Sequence, residues 1–433
     1  MTRPIRFCML ATFYPPWNFG GDGIHVQRLA TALAARGHHV TVVTSPAVYH
    51  LFSRERPRPP PERPGIEVVP LEDGLASLTA RYLVGRPVGA RRVLQRLFDR
   101  GFDVLHHHNP SLLGAPTLLS MGDGVKLYTV HEQWLLCPSH QLFRRDGRVC
   151  ENPPCWSCEI THLRPPQPWR RTSLLERSLS HLDALITPSR TSAWLHRRFA
   201  DLVRMEVIPH FAPEPPPASP GENRWGPPPG RPYFLYVGRL ESIKGVETLI
   251  DAFRRRRSED LVIAGDGNLA RRLRRRAADL GHVRFTGWLP QAQLDGLYRG
   301  ALAVVMPTLA HEVMPLVSLE ALARGTPLIA RRFGVLAELA QGTGAVIPFE
   351  SASELDDALD RIASDESFRR ELGNRGRVAH AERFSVDAYL SRYLSLIAEL
   401  ARARGAAELA DAAEAALPTP AAGSRDRSRM VTR

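Results

Sequence analysis

The chain contains almost no lysine. Of its 57 basic residues 55 are arginine, and only Lys126 and Lys244 are not. So strong a bias is what an arginine-rich genome produces, so an apparent basic patch counts for little and the net charge of +12 is weak evidence for a polyanionic partner. Residues 1–210 hold 26 basic and 17 acidic side chains (+9), and the remainder 31 and 28 (+3). No recognition motif or interleaving of basic and aromatic residues accompanies that charge, which argues against nucleic-acid binding. No apolar run approaches the roughly 18 residues of a membrane span. The opening residues faintly resemble a secretory signal, but the apolar stretch is short and Tyr14-Pro15-Pro16 follows in place of a small-residue cleavage site. Ile5–Ala11 therefore reads as a first strand, and the protein as cytoplasmic. There is no Asp-x-Asp anywhere, so one closely spaced carboxylate pair that could hold a divalent ion is missing. Cysteine numbers only five, too few for a disulfide framework in a chain of this size.

At 433 residues the chain exceeds one ordinary core, and two domains are expected. Short apolar strands alternate with helical segments in both halves, which predicts doubly wound parallel sheets. The first half reads as strands Ile5–Ala11, Val40–Thr44, Ile66–Pro70, Val104–His106, Lys126–Val130 and Ala184–Thr187, with a helix over Ile24–Arg36. Residues 211–230 carry eight prolines and read as a stiff linker. The alternation then restarts with strands Tyr233–Gly238, Leu261–Ala264, Val283–Thr286, Leu302–Met306 and Pro327–Ala330. The expected division is 1–210, the linker 211–230, a second domain 231–385, a helix 386–402 crossing back, and a frayed or disordered tail 403–433.

The residues that carry chemistry cluster after strands. Glu312 and Glu320 flank a helix start in Glu312-Val-Met-Pro315-Leu-Val-Ser-Leu-Glu320, with Pro315 opening the helix and Gly325 closing it. A carboxylate beside a helix amino end and another on its first turns, with free N–H groups between, suits a phosphate flanked by two hydroxyl-rich groups. That is what a nucleotide-sugar presents. Gly238-Arg239-Leu-Glu-Ser-Ile-Lys244-Gly245 supplies two cations able to neutralise a pyrophosphate without a metal. Ala264-Gly265-Asp266-Gly267 is a tight turn at a strand end, and Trp288 follows another strand as a base-stacking or packing residue. Gly20-Gly21-Asp22-Gly23 permits close backbone approach at a helix start, without the dinucleotide-binding spacing. His106-His107-His108 follows a strand; adjacent strand residues do not share a face, which disfavours a metal site made of these three. His131 and Glu132 end the next strand.

Cys137, Cys150, Cys155 and Cys158 fall within 22 residues. In a reducing compartment the spacing favours a structural zinc, with His140 and His162 as spare ligands; an iron–sulfur cluster, a redox disulfide or unliganded thiols are the alternatives. Arg81–Arg100 carries six arginines beside the stripe Val93, Leu94, Leu97, Phe98. It suits either a membrane surface or inward packing of that stripe, the second being the simpler.

Taken together these motifs resemble the retaining GT-B glycosyltransferases of the family-4 (glycosyl transferases group 1) type, over roughly residues 5–400. The resemblance rests on Gly238-Arg239…Lys244-Gly245, Ala264-Gly-Asp-Gly267 and Glu312-x7-Glu320…Gly325-Thr-Pro, in order. Pro15-Pro16…Gly20-Gly21 and Asp103-Val-Leu-His-His-His108 add to it, and the Cys-rich stretch looks like a sub-branch. It implies two Rossmann-like domains facing across a cleft. Arg239 and Lys244 would bind the diphosphate of a nucleoside-diphosphate sugar, Glu312 the transferred sugar, Glu320 the ribose, and His108 would stand near the sugar. Gly20, Gly21, Gly238, Gly265, Asp266 and Trp288 would line the donor site, and His131 and Glu132 the acceptor side. Many members have Gly-Phe-Gly after the first glutamate; here Val313-Met314-Pro315 stands instead. Pro315 has no N–H, so Met314 or Leu316 would supply the donor. The implied reaction transfers a sugar to a hydroxyl acceptor (lipid-linked, saccharide or aglycone) with retention, no catalytic cofactor and, if the acceptor is lipid-linked, contact with the inner membrane face. A sugar-nucleotide epimerase or hydrolase, and a non-catalytic nucleotide-sugar binder, are the rival readings.

Overall fold

Among the described residues thirteen strands form two sheets, all of whose pairings are parallel. The computed structural model describes residues 3–72, 74–144, 146–150, 155, 158–159, 165–217, 225–228 and 230–419. In the first sheet lie β1 (Arg6–Ala11), β2 (His39–Thr44), β3 (Ile66–Pro70), β4 (Val104–Asn109), β5 (Val125–Thr129), β6 (Ala184–Thr187) and β7 (Met205–Val207), in spatial order β3-β2-β1-β4-β5-β6-β7. The second holds β8 (Tyr233–Val237), β9 (Asp260–Ala264), β10 (Val283–Gly287), β11 (Val304–Met306), β12 (Leu328–Arg331) and β13 (Val346–Phe349), in order β10-β9-β8-β11-β12-β13. Buried on both faces, the central strands are continuous apolar runs such as Phe7-Cys8-Met9-Leu10 and Phe234-Leu235-Tyr236. Strand order reverses between β1 and β4 and again between β8 and β11, and open α/β sheets bind ligands outside such switch points.

Three differences from the sequence reading have physical causes. The first helix is Gly21–Ala34, not Ile24–Arg36: Gly20 is its amino cap in extended conformation, so the glycine run is the helix's first turn, not a loop before it. Glycine's weak helical propensity hid that turn. Arg81 is not a surface cation. It is buried, and its Nε donates to the Val88 carbonyl (2.8 Å). Leu94, Leu97 and Phe98 of the helix Arg91–Phe98 are buried while Val93 is exposed, so most of the stripe packs inward. Finally, Ala407–Ala415 is a helix whose Leu409, Ala410, Ala412 and Ala413 are buried, where a frayed tail was expected. Alanine alone leaves no periodicity in the sequence; docking on a neighbour orders it. Residues 420–433 lie outside the described residues.

That neighbour is the helix Val386–Ala403, which follows the second domain yet buries Tyr389, Leu390, Tyr393, Leu394 and Ile397 with Phe7, Met9, Val26 and Leu29 of the first. Ser385 caps it, accepting from the Ala388 N–H (3.2 Å). Polar ties reinforce the joint: Arg36 pairs with Asp387, Arg204 with Glu399 (2.8 Å) and Arg404 with Asp183 (2.8 Å). The expected linker begins in the core as well, since Phe211 and Ala212 are fully buried. A second contact pins the domains near the cleft. Arg190 and Thr191, at the amino end of the helix Arg190–His196, donate backbone N–H groups to Glu338 of the second domain (both 3.0 Å). Among the described residues no helix is long and apolar enough to cross a membrane.

Leu394→Ala is expected to lower stability by about 2–5 kcal/mol through transfer and cavity costs. Urea unfolding followed by tryptophan fluorescence measures it; a loss under about 0.5 kcal/mol, the scale of a surface substitution, would mean the return helix does not complete the first core.

Candidate functional site

The chemically interesting residues gather at the carboxyl ends of the strands. Gly20 and Gly21 follow β1, His108 ends β4, His131 follows β5, Arg239 follows β8, Gly265 follows β9 and Glu312 follows β11. Two glycines are dictated by close approach. A Cβ on Gly265 (φ 143°) would stand 1.9 Å from the Gly238 carbonyl oxygen, and one on Gly245 (φ 65°) 2.3 Å from that of Pro307. The turns after β8, β9 and β11 therefore touch backbone to backbone, which any side chain would forbid.

Lys244 pairs with Glu312, whose carboxylate also accepts from the Thr308 hydroxyl (2.8 Å). Burial alone would raise the Glu312 pKa, but the Lys244 charge and these hydrogen bonds outweigh it and hold the carboxyl below its usual range. Arg239 is half exposed and pairs with Glu241 (2.9 Å); its charge also acts on Glu312 and on Asp22 of the first domain. Asp22, which receives the Asn109 amide (2.9 Å), has its pKa raised by burial. It is a cleft carboxyl that sequence reasoning did not single out. Acidic residues in a helix first turn are common, and only the fold shows that this one faces Arg239.

The helix carrying Glu320 is Leu316–Arg324, capped by Pro315 and ended by Gly325 at φ 70°. No side chain caps its amino end. Gly21 lies opposite, where an added Cβ would touch Leu316 at 3.4 Å, so the amino ends of two helices from different domains meet. Glu320 is buried; it accepts from the Tyr298 hydroxyl (2.8 Å) and pairs with Arg28 of the first domain. Met314 is buried in the second core. Asp266 is exposed and receives the Gly267 N–H (2.8 Å). Trp288 is 73% exposed, so it serves no packing role here.

On the first-domain side, His106 and His108 share a face of β4, their rings tilted by 37° with centroids 3.8 Å apart. His108 Nδ1 lies 3.0 Å from His131 Nε2. His107 points to the other face, its pKa driven down to about 3 by burial. His131, also near 3 because of burial, neighbours Glu132, which pairs with His140 (2.8 Å). His25 and His210, neither of them identified from sequence, complete the group: the His25 ring lies 4.1 Å from His210 and 5.1 Å from His131. Each comes from a different loop or helix, so no local spacing announces them.

Among the described residues no disulfide joins Cys137, Cys150, Cys155 or Cys158. Cys137 contacts the Ser139 hydroxyl (3.1 Å). Burial, with Cys137 nearby, raises the pKa of Cys150 and Cys155. Among the described residues their sulfurs do not draw three ligand atoms together; the one set that does is His25, His108 and His131. His162 lies outside the described residues.

Comparison with known proteins bears on this geometry. Residues 222–379 match the model of glycosyl transferases group 1, and residues 19–214 that of glycosyltransferase family 4. The D-inositol 3-phosphate glycosyltransferase of Acidothermus cellulolyticus is 28% identical over 92% of this chain and 91% of its own length. Among solved structures, sucrose-phosphate synthase of Thermosynechococcus elongatus superposes with a TM-score of 0.70 at 21% identity, covering 93% of this chain and 100% of that one. HepE of Anabaena, solved with UDP-glucose, gives 0.61 at 15% identity, covering 92% and 99%.

The Lys244–Glu312 pair makes a linkage prediction. A carboxyl whose folded pKa is depressed contributes stability present above its unfolded value and lost as pH falls through the folded one. Lys244→Ala leaves a largely buried carboxylate without its cation, at a cost of about 1–3 kcal/mol near neutrality. That cost should shrink as Glu312 protonates below the ordinary carboxylate range. Thermal melts of both proteins from pH 7 to strongly acid conditions measure it; a constant gap would show that the pair is not electrostatically coupled to folding.

Proposed function

The chain belongs to the GT-B glycosyltransferases, and from that premise we propose that it transfers a sugar from a nucleoside-diphosphate sugar to an acceptor hydroxyl with retention of anomeric configuration. The observation that carries this reading is the meeting, at both topological switch points, of two helix amino ends with Arg239, Lys244 and Glu312. The donor diphosphate lies against the uncapped start of Leu316–Arg324, with Leu316 rather than Pro315 donating its N–H. Arg239 and Lys244 neutralise the charge that grows on the diphosphate as the bond from the anomeric carbon to phosphate oxygen breaks. The acceptor hydroxyl bonds to that carbon on the same face, and its proton passes to the departing phosphate oxygen. Glu312, already held by Lys244 and Thr308, accepts hydrogen bonds from the transferred sugar and is not a nucleophile. Glu320 takes the ribose hydroxyls in exchange for Arg28, and His108 stands at the sugar. Gly238, Gly265 and Asp266 shape the nucleoside side, with Trp288 available to stack on the base; His131 and Glu132 face the acceptor.

The names of the relatives support a donor and a hydroxyl acceptor of this kind: HepE was solved with UDP-glucose, and the Acidothermus protein is named as a glycosyltransferase of inositol 3-phosphate. A cytoplasmic location, with peripheral membrane contact if the acceptor is lipid-linked, belongs to the same proposal. A structural zinc on Cys137, Cys150, Cys155 and Cys158 is a separate one. Its support is that Cys137, Cys150 and Cys155 influence one another electrostatically, and it requires the sulfurs to draw closer.

Nucleoside diphosphate release from UDP-, GDP- and ADP-sugars, with and without hydroxyl acceptors, tests the reaction, and product NMR gives the anomeric configuration. Arg239→Ala and Lys244→Ala should each lower kcat about 10²–10³-fold, the size of losing a charge-stabilising donor, and added Mg²⁺ should not raise the wild-type rate. Release that needs no acceptor would favour the hydrolase or epimerase reading; full activity of Lys244→Ala would sink the mechanism. Zinc in the Cys loop predicts a lower metal content for Cys155→Ser by elemental analysis, and an unchanged content refutes it.

A further inference from the structure

We propose that His25, His108 and His131 form a binding site for one divalent transition-metal ion that prefers imidazole, Zn²⁺ foremost, with His210 beside it as a further ligand. One potential ligand atom from each of the three lies within 4.8 Å of the others. Zinc–nitrogen bonds of about 2.0–2.1 Å in a tetrahedral site place ligand nitrogens roughly 3.4 Å apart. The pair His108 Nδ1 and His131 Nε2, at 3.0 Å, is already at that scale. His25 must approach by little more than an ångström, a rotamer-sized adjustment.

A hydrogen-bonded histidine cluster is the simpler reading, and it fails at His25. That side chain is fully buried, and neither ring nitrogen has a hydrogen-bond partner among the described residues; His108 Nε2 and His210 Nδ1 lack one too. Buried polar groups left so cost about 1–3 kcal/mol each, and the hydrogen bond that these four histidines make with one another is that between His108 and His131. A metal ion satisfies several lone pairs at once. Binding needs no proton release. The hydrogen between His108 and His131 moves to the unpartnered His108 Nε2, or to His131 Nδ1, as the rings change tautomer. Burial keeps these imidazoles neutral, having lowered the pKa of His25, His108, His131 and His210, so protons compete weakly for the site. Neighbouring charges are mixed: Arg28 acts on His25 and His210 and opposes a cation, whereas Glu132 acts on His131 and favours it.

The ion would fix the orientation of His108 from behind. Its site is built from first-domain residues alone, whereas Arg239, Lys244 and Glu312 belong to the second domain. The inference therefore stands whether or not sugar transfer is the reaction.

The test is equilibrium dialysis of the full chain against Zn²⁺ with elemental analysis, and titration with Co²⁺ as a spectroscopic substitute. Cys155→Ser, which breaks any thiolate site, should retain one equivalent of metal, and its Co²⁺ form should lack thiolate-to-cobalt charge-transfer absorption. His25→Gln should lose that equivalent while its thermal melt confirms folding. Should His25→Gln not fold, X-ray absorption of the zinc-loaded wild type decides: an imidazole nitrogen shell supports the site, and a sulfur-only shell overturns it. Unchanged stoichiometry in a folded His25→Gln, or no metal on Cys155→Ser, equally overturns it.

Discussion

The cleft exists because one helix does not stay with its own domain. Val386–Ala403 emerges from the second sheet's layer and completes the first domain's core. Each apolar side chain it buries contributes about 1.5–3 kcal/mol, enough in sum to fix how the two sheets face each other. Residues 380–384 wind as a π-helix just before it, and His380 Nε2 meets the Ala212 carbonyl at 2.9 Å while Ala212 donates to Phe384 (3.0 Å). The two chain crossings thus lie side by side and are bonded to one another. Everything opposed across the cleft, Asp22 to Arg239 and Arg28 to Glu320, depends on that joint.

Within the cleft, the cations and carboxylates are already paired with each other. Lys244 holds Glu312, Arg239 holds Glu241, and Arg28 holds Glu320. Isolated charges would be costly in so buried a place. Because each cation already has a partner, a ligand binding here exchanges partners instead of uncovering bare charge. Arg28 is distinctive because its partner belongs to the other domain. Breaking that pair would free a first-domain cation whose charge already acts on His25 and His210.

Much of this was legible before any fold was known. Apolar runs announced eleven of the thirteen strands, and Pro315 and Gly325 marked the ends of a helix because their chemistry is local. Short strands were missed: Met205–Val207 has three residues, partly or fully exposed, and Val346–Phe349 contains a proline, so neither shows a periodic signal. The site divided along the same line. Arg239, Lys244, Glu312 and Glu320 sit in motifs whose spacing speaks for itself. Asp22, His25 and His210 acquire meaning only when β1, β4, β5 and β7 deliver their ends to one place. The burial of Arg81 on the Val88 carbonyl is likewise a tertiary fact that no local pattern announces.

The glutamates that flank the helix at Pro315 are best understood through the helix itself. Its amino end has neither a side-chain cap nor an acidic residue in its first turn. The facing helix, starting at Gly21, likewise lacks a cap but carries Asp22. Each end presents about half a positive charge and N–H groups without intrahelical partners, and two such ends facing one another repel unless something negative lies near. Asp22 offsets one. Glu312 and Glu320 stand to either side of the other, yet both are committed to cations. The residual demand is for an anion at Leu316, bounded by hydroxyl-accepting carboxylates before and behind. That arrangement suits an anionic group with a hydroxyl-bearing group on each side.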